Sequence, residues 1–249
     1  LFNIIEPNLL GKIYEIFLTE QLVLLENNTI GLGKKKDCQN RSVVTTPTEI
    51  VKYMVDKTLS KVCEGKTPSE ILNISVADIA CGSGIFLEEA FAYLQDYCVQ
   101  WYICNGQTDH LIETGIDLYK LPLQEKKDIL CSCIYGIDID IHAVEVAKFS
   151  LLIKLIEDET APSVSEVVPI LPDLGDNIQF GNSLVSQTEL NGISGANRQM
   201  MEIAPFDWST INNGCGFDVI IGNPPYVNTE GMHALLPSAE VEVYKKKYK

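Results

Sequence analysis

The chain has 249 residues, of which 46% are hydrophobic and 21% charged. This composition excludes a disordered polypeptide and suits one large α/β domain with an attached helical segment. No apolar run approaches the roughly 18 residues that cross a bilayer, and we expect no signal peptide because the first residues lack a basic region. The formal net charge of −15 argues against tight nucleic-acid binding by this chain alone, since phosphate contacts come from Lys and Arg.

The eight cysteines contain no Cys-X-X-Cys pair and no paired spacing typical of a zinc site. Most lie in apolar stretches, where a thiol behaves as a small hydrophobic group. We therefore expect reduced cysteines, no metal ion and a cytoplasmic protein without a membrane partner. Cys131 and Cys133 are separated by one residue and could bind a metal, although a structural role is favoured.

Residues 1–44 are predicted to form a helical extension. Apolar residues recur at helical spacing from Pro7 to about Leu25, which predicts a helix. A polar loop at 27–41 follows and contains Lys34, Lys35 and Lys36, which we interpret as solvated rather than as a phosphate contact.

The segment Thr46-Pro47-Thr48-Glu49 is typical of a helix start. Thr46 would cap the helix, Pro47 would occupy its first turn, and Glu49 lies three residues after the cap. The helix is then predicted to bury a set of apolar side chains, Ile50, Tyr53, Met54 and Leu59. We place the start of the main domain at residue 45 and its end at residue 249.

Strands and helices alternate through the main domain. Strands are predicted at 74–80, 134–138, 177–180 and 217–221, and helices at 85–104, 122–131 and 141–156. Residues 157–176 are acidic and contain prolines, so they are predicted to form a connection. This alternation predicts a doubly wound α/β fold with a mostly parallel sheet.

A glycine loop follows the first of these strands, as Cys81-Gly82-Ser83-Gly84 before a long helix. This arrangement is typical of a nucleotide-like cofactor site, because glycines let the backbone approach the ligand. A dinucleotide is disfavoured, since Leu87 stands where its fingerprint needs a small residue and Asp78 would repel a pyrophosphate. No Gly-Lys-Ser/Thr follows the loop, as a phosphate-binding P-loop would require. A carboxylate beside the loop instead suits the cationic methionine part of S-adenosylmethionine.

Asp138 ends the second predicted strand, where an acidic residue can accept hydrogen bonds from both ribose hydroxyls. It lies 138 − 84 = 54 residues after Gly84, more than the usual ~20, and a helical insertion at about 100–130 accounts for the excess. Asp140 is the alternative ribose acceptor or a cap for the next helix.

The tetrapeptide Asn223-Pro224-Pro225-Tyr226 follows an apolar strand and is the most specific motif in the chain. A rigid turn would explain the prolines, but not the flanking Asn and Tyr. The Asn223 side-chain oxygen and the Pro224 carbonyl could accept the two hydrogens of a conjugated amino group and direct its lone pair toward a sulfonium methyl. Pro225 would fix this turn, and Tyr226 offers a face on which a base swung out of a duplex could stack.

Together these motifs resemble the N6-adenine DNA methyltransferases of bacterial restriction–modification systems, in the group whose methionine-tail motif precedes the glycine loop. The similarity covers roughly residues 40–228 and rests on the motifs at Thr46-Pro47-Thr48, Asp78 to Gly84, Asp138, Gly181-Asn182-Ser183 and Asn223 to Tyr226. It implies the class I S-adenosylmethionine-dependent methyltransferase fold and methyl transfer to adenine N6 in duplex DNA with the base flipped out. It also implies a restriction or specificity subunit, or a fused domain, as partner.

The resemblance assigns roles to individual residues. Its catalytic residues are Asn223, Pro224, Pro225 and Tyr226. Its cofactor-binding residues are Thr46, Pro47, Asp78, Ala80, Cys81, Gly82, Ser83, Gly84, Asp138, Ile139, Asn182, Ser183 and Asn223.

The chain departs from the family pattern at three points. Ile79 replaces the proline that often follows the acidic residue of the loop, and Asn182 stands where Asp is common. The chain ends about twenty residues after Tyr226. We therefore expect the C-terminal part of the fold, including a target-recognition domain, to be missing.

Two other classes of function share parts of this pattern. Asn-Pro-Pro-Tyr also occurs in methyltransferases that act on RNA guanine or on a protein glutamine amide, although the early Thr-Pro motif and the loop favour the DNA adenine enzymes. A non-catalytic scaffold subunit of a restriction complex is the second alternative, which the intact Asn223 and Tyr226 disfavour.

Overall fold

The computed structural model describes residues 13–14, 20–24, 29–34, 46–160, 163–164, 167–226, 232 and 236–248. Its strands are β1 (Glu20–Leu24), β2 (Ile30–Lys34), β3 (Val76–Asp78), β4 (Ile112–Gly115), β5 (Leu118–Lys120), β6 (Ile134–Asp138), β7 (Ile178–Phe180) and β8 (Val219–Ile220). Its α-helices are α1 (Thr48–Cys63), α2 (Pro68–Ile71), α3 (Ile85–Cys104), α4 (Leu123–Cys133), α5 (Ile141–Ile156), α6 (Ala196–Ile203) and α7 (Ser238–Lys247).

A four-stranded sheet in the order β7-β6-β3-β8 organises the main domain, and all of its pairings are parallel. From β3 the chain passes through α3 to β6 and through α5 to β7, and it later returns past β3 to form β8. The order therefore reverses between β3 and β8. The predicted α/β fold with a mostly parallel sheet is confirmed.

Side chains alternate along these strands and supply two apolar layers. Val76, Ile134 and Ile178 pack on one face, in the core that includes Leu87 of α3 and Leu151 of α5. On the other face Ala77, Tyr135 and Ile137 pack against the segment before β8, at Phe206, Ile211 and Phe217. Because both faces are covered, the strand sequences are mostly apolar rather than strictly alternating, with Asp78 and Asp138 at the strand ends and Gln179 in β7.

Gly136 lets helix α3 approach the middle of the sheet. A Cβ at this position would lie 2.7 Å from Leu87 Cδ1 and 3.2 Å from Cys81 Sγ. The absence of a side chain therefore allows α3, which begins directly after the glycine loop, to pack closely on β6. None of the described helices is long and apolar enough to span a membrane.

Helices α3 and α5 and strand β6 begin and end as predicted, and the other predicted elements of the main domain differ by a few residues at their ends. The insertion before α4 is only partly helical. It contains an antiparallel hairpin of β4 and β5, so the prediction of a helical insertion was wrong there.

The prediction for the N-terminal segment was also partly wrong. Residues 20–24 form β1, which pairs antiparallel with β2, so the helix does not reach Leu25 and the predicted loop contains a strand. β1 and β2 pair through their backbones as consecutive antiparallel strands, and the spacing of apolar residues did not reveal this pairing. Ile13 and Tyr14 are helical. The rest of the predicted helix, with Lys35 and Lys36, lies outside the described residues, and the domain boundary at residue 45 stays a prediction.

Helix α1 presents a different face to the core from the one predicted. Its buried side chains are spaced four residues apart, at Val51, Val55, Leu59 and Cys63. Ile50 and Tyr53 are 49% and 64% exposed, so their predicted burial was wrong. The helix begins at Thr48 with Pro47 in the capping position and no side-chain cap. The predicted cap at Thr46 was therefore also wrong.

Candidate active site

The predicted motifs converge at the carboxyl ends of β3, β6, β7 and β8. Asp78 and Asp138 end β3 and β6, Asn182 follows β7, and Asn223 follows β8. In open parallel sheets, ligands bind in the crevice where the strand order reverses. Here that crevice lies between β3 and β8, so the glycine loop and the tetrapeptide flank it.

The glycine loop adopts backbone conformations that only glycine accepts readily. Gly82 and Gly84 have φ angles of 53° and 93°, in the left-handed region. A Cβ on Gly84 would also lie 3.1 Å from Ala147 Cβ of α5. These constraints turn the chain sharply from β3 into α3. Cys81 and Ser83 of the same loop are buried.

Asp78 is a buried carboxylate beside this loop, with 2% of its surface exposed. Its Oδ1 accepts a hydrogen bond from the Ala80 amide (3.0 Å). Among the described residues no group donates to Oδ2. Burial raises the pKa of Asp78 to about 7, since removal from water penalises the ionised form. A cationic group of a ligand would reverse this penalty, so Asp78 fits the ammonium of a methionine moiety.

Asp138 holds the backbone of two neighbouring loops, the one after β3 and the one after β6. Its Oδ2 accepts a hydrogen bond from the Gly82 amide and its Oδ1 accepts one from the Asp140 amide, each at 2.8 Å. Burial raises the pKa of Asp138. Each carboxylate oxygen has a further lone pair that could accept a hydroxyl. Asp138 is thus placed to bind a diol and to join the ligand to the glycine loop.

Asp140, the alternative ribose acceptor, has a structural role at the start of α5. Its Oδ1 accepts a hydrogen bond from the His142 amide (2.9 Å), which caps the helix. Its Oδ2 accepts one from the Tyr14 hydroxyl (2.8 Å). Asp140 therefore caps α5, as the second of the two interpretations predicted.

Gly222 is a site residue that the motifs did not single out. A Cβ there would lie 2.4 Å from Asp78 Oδ1 and 2.9 Å from its Oδ2. No side chain fits this space, because Asp78 is buried between neighbouring strands. From the sequence alone, the feature that could have identified Gly222 as a site residue is its position directly before the tetrapeptide. Gly222 brings the tetrapeptide against the carboxylate of the glycine loop.

The side chain of Asn223 contacts two other predicted site residues. Its Nδ2 donates a hydrogen bond to Thr46 Oγ1 (3.1 Å). Its Oδ1 accepts one from the Tyr226 hydroxyl (3.1 Å). The Thr46 hydroxyl, predicted to cap α1, thus binds the amide of Asn223 instead. Tyr226 is 72% exposed, so its ring is accessible to a planar ligand, and Pro224 and Pro225 are exposed beside it.

Asn182 and its surroundings lie beyond the end of β7, separated from this crevice by the end of β6. Its side chain is buried, and its Nδ2 donates a hydrogen bond to Glu240 Oε1 of α7 (2.8 Å). Ile139 and Phe180 expose apolar side chains at the ends of the adjoining strands β6 and β7. The region around Asn182 therefore combines an exposed apolar surface with the side-chain amide of Asn182. No local pattern predicted the contact with Glu240.

The remaining predicted residues lie at the margins of this arrangement. Pro47 is exposed before α1, whereas Ala80 and Ser183 are half-buried beside Asp78 and Asn182. Cys133 is buried away from the crevice, where its thiol donates to the Ile71 carbonyl (3.3 Å). Within the described ranges no cluster of three or more His, Cys, Asp or Glu could hold a metal ion.

The sheet and the site define an open α/β protein with a ligand crevice at the carboxyl ends of its strands and an Asn-Pro-Pro-Tyr segment at its edge. Residues 132–249 match the family model of the Eco57I restriction-modification methylases. This match includes Asp138 and the tetrapeptide. Over these residues the chain is therefore similar to the Eco57I restriction-modification methylases.

Two relatives are similar over most of the chain. The type II restriction enzyme and methyltransferase RM.Eco57I of Escherichia coli is 44% identical over 248 residues, covering 100% of this chain. The putative type II restriction enzyme and methyltransferase RM.MjaORFECS2P of Methanocaldococcus jannaschii is 28% identical over 224 residues, covering 75% of this chain. The chain spans only 24% and 17% of the lengths of these relatives.

Proposed function

We propose that this chain is the catalytic part of a DNA methyltransferase that transfers a methyl group from S-adenosylmethionine to the N6 amino group of adenine. Its substrate is duplex DNA with the target adenine flipped out, and it serves as the modification part of a restriction–modification system. The names of both relatives join a restriction enzyme to a methyltransferase, which supports this proposal and a fused restriction domain as partner.

The contact of Gly222 with Asp78 carries the proposal. It brings the segment that would bind the acceptor amine against the carboxylate that would bind the donor. The hydrogen bond from Asn223 to Thr46 adds a second link between the predicted catalytic and cofactor motifs. A protein that only bound a nucleotide would have no need for a second, amide-bearing segment at this place.

Each residue has a distinct role in the proposed reaction. The bound cofactor supplies an electrophilic methyl group on a sulfonium. Asp78 binds the ammonium of the methionine part, Asp138 binds the ribose hydroxyls, and the amide of Asn182 faces the cofactor's adenine. Gly82 and Gly84 let the backbone approach the ligand. Thr46, Pro47, Ala80, Cys81, Ser83, Ile139 and Ser183 complete the proposed pocket.

Asn223 acts on the acceptor base. Because Thr46 engages its Nδ2, its Oδ1 is the atom left to accept a hydrogen from the adenine amino group. The Tyr226 hydroxyl now occupies that oxygen, and the incoming amine would displace it while the tyrosine ring stacks on the base. The Pro224 carbonyl would accept the second hydrogen. These two acceptors make the amine nitrogen more tetrahedral, which exposes its lone pair for in-line transfer.

The direct test is transfer of labelled methyl from S-adenosylmethionine to duplex DNA by the full-length protein, followed by nucleoside analysis. We expect the label in N6-methyladenine. Label in a methylated cytosine would refute the choice of base. Cofactor binding without any label in DNA would point to RNA or a protein glutamine amide, and failure with all these acceptors would favour the scaffold alternative.

Cofactor affinity is expected to fall as the pH falls below about 7. The pKa of free Asp78 is about 7, and a bound ammonium lowers it. Binding therefore requires the ionised form, and affinity can drop up to about tenfold per pH unit below that pKa. Calorimetry with S-adenosylhomocysteine between about pH 8 and about pH 5.5 measures this dependence.

Asp78→Asn should bind the cofactor more weakly and remove most of this pH dependence. Asp138 is also titratable, and any dependence that remains in Asp78→Asn reports on it. Asp176→Asn, at an exposed carboxylate, is the matched control and should behave as the wild type. An affinity that does not change with pH in the wild type would contradict the role of Asp78.

A further inference from the structure

Asn182 is held by a buried hydrogen-bond network that extends into helix α7. Its Nδ2 donates to Glu240 Oε1 (2.8 Å), and the Tyr244 hydroxyl donates to the same oxygen (2.6 Å). Its Oδ1 accepts the Leu184 amide (3.1 Å). Only 5% of Asn182 and 3% of Glu240 is exposed. The hydrogen bond between Asn182 and Glu240 joins residues that are 58 positions apart along the chain.

A carboxylate determines which way this amide points. An asparagine side chain carries a donor and an acceptor of nearly equal size, and either could face a neutral polar neighbour. An ionised Glu accepts hydrogen bonds and donates none. Glu240 therefore binds the NH₂ group of Asn182, and the oxygen must point to the opposite side, toward the Leu184 amide.

The oxygen of Asn182 retains capacity for a ligand. A carbonyl oxygen has two lone pairs, and the Leu184 amide uses one of them. Asn182 lies two residues beyond β7, where the Gly181 amide donates to the Asp138 carbonyl (2.9 Å). A nucleoside whose ribose binds Asp138 would thus extend its base toward Asn182.

We propose that Glu240 is a positioning residue of the cofactor site, which holds Asn182 so that its Oδ1 accepts the 6-amino group of the cofactor's adenine. This inference rests on the proposed function. It explains how an Asn serves where Asp is common in related enzymes: the negative charge resides on Glu240, and the amide carries the acceptor oxygen.

Helix α7 is anchored well enough to act in this way. The Ala239 amide donates to Gln199 Oε1 of α6 (3.1 Å). Ala239 and Val243 belong to a small apolar core with Val185, Leu190 and Ile203. Glu240 thus projects from a helix whose neighbouring turns are packed against the segment that contains Asn182.

The test compares the affinities of the full-length protein for S-adenosylhomocysteine and for S-inosylhomocysteine, in which an oxygen replaces the 6-amino group. We expect the wild type to prefer the adenine compound by about tenfold or more, the effect of one hydrogen bond. Glu240→Met removes the acceptor at similar volume and leaves the side-chain amide of Asn182 held by the Leu184 amide alone. The preference should then fall below about threefold.

Two variants separate orientation from a general structural role. Glu240→Gln keeps an acceptor oxygen in place and should retain the preference. Glu242→Met makes the same change at a half-exposed residue of α7, paired with Lys246, and should also retain it. The inference would be overturned if Glu240→Met preferred S-adenosylhomocysteine as strongly as the wild type does. It would also be overturned if Glu242→Met lost that preference.

A second measurement applies even if Glu240→Met does not fold. Asn182→Asp sets two carboxylates against each other and should weaken binding of S-adenosylhomocysteine about tenfold or more. The double variant Asn182→Asp/Glu240→Gln restores a donor and an acceptor and should recover most of the affinity. No recovery would overturn the inference. Absence of cofactor binding by the wild type would instead refute the proposed function, and this inference with it.

Discussion

Asn223→Ala is expected to reduce methyl transfer by about 10²–10³-fold, the range seen when one preorganised polar contact to a reacting group is lost. The variant removes the acceptor for the adenine amino group and leaves Asp78, Asp138 and the glycine loop unchanged. Cofactor affinity should therefore stay within about threefold of the wild type. Single-turnover assays with duplex DNA measure the rate of methyl transfer, and calorimetry measures the cofactor affinity.

Asn191→Ala is the matched control for this experiment, because Asn191 is exposed and lies outside the site. It should retain wild-type transfer. A fully active Asn223→Ala protein would refute the catalytic assignment. A variant that lost cofactor affinity in proportion to its activity would show that Asn223 serves binding alone.

Gly222→Ala is expected to abolish detectable cofactor binding, with a loss of about 100-fold or more in affinity. The added methyl would lie 2.4 Å from Asp78 Oδ1, so either the carboxylate or the β8 segment must move. Overpacking of this kind also lowers the free energy of unfolding by about 1–3 kcal/mol. Calorimetry and urea unfolding measure the two effects.

Gly216→Ala provides the matched control, since a Cβ at this position meets nothing within 4 Å. It lies in the same segment, shortly before β8, and should change neither affinity nor stability measurably. Normal cofactor binding by Gly222→Ala would contradict the close approach of the tetrapeptide to Asp78. It would also remove the main structural support for the proposed reaction.

Much of the fold could be predicted because its signals are local. The apolar run of β6, the glycines before α3 and the helical spacing of α5 each depend on neighbouring residues. The same is true of Asp78 and Asp138, whose places at strand ends follow from where the strands end. Local signals were less informative for β1 and β2, because a strand is stabilised by pairing with another strand as well as by its own residue pattern.

The sequence by itself determined the succession of strands and helices, the glycine loop and the chemical character of Asn223 to Tyr226. Only the tertiary structure decided which of these groups meet. The bond from Asn223 to Thr46 joins residues 177 positions apart, and Gly222 reaches Asp78 because β8 pairs with β3. The Asn182 contact with Glu240 likewise requires α7 to pack against the segment after β7. Periodicity along a chain reports which face of an element is apolar, whereas the partner of a polar side chain is set by packing between distant elements.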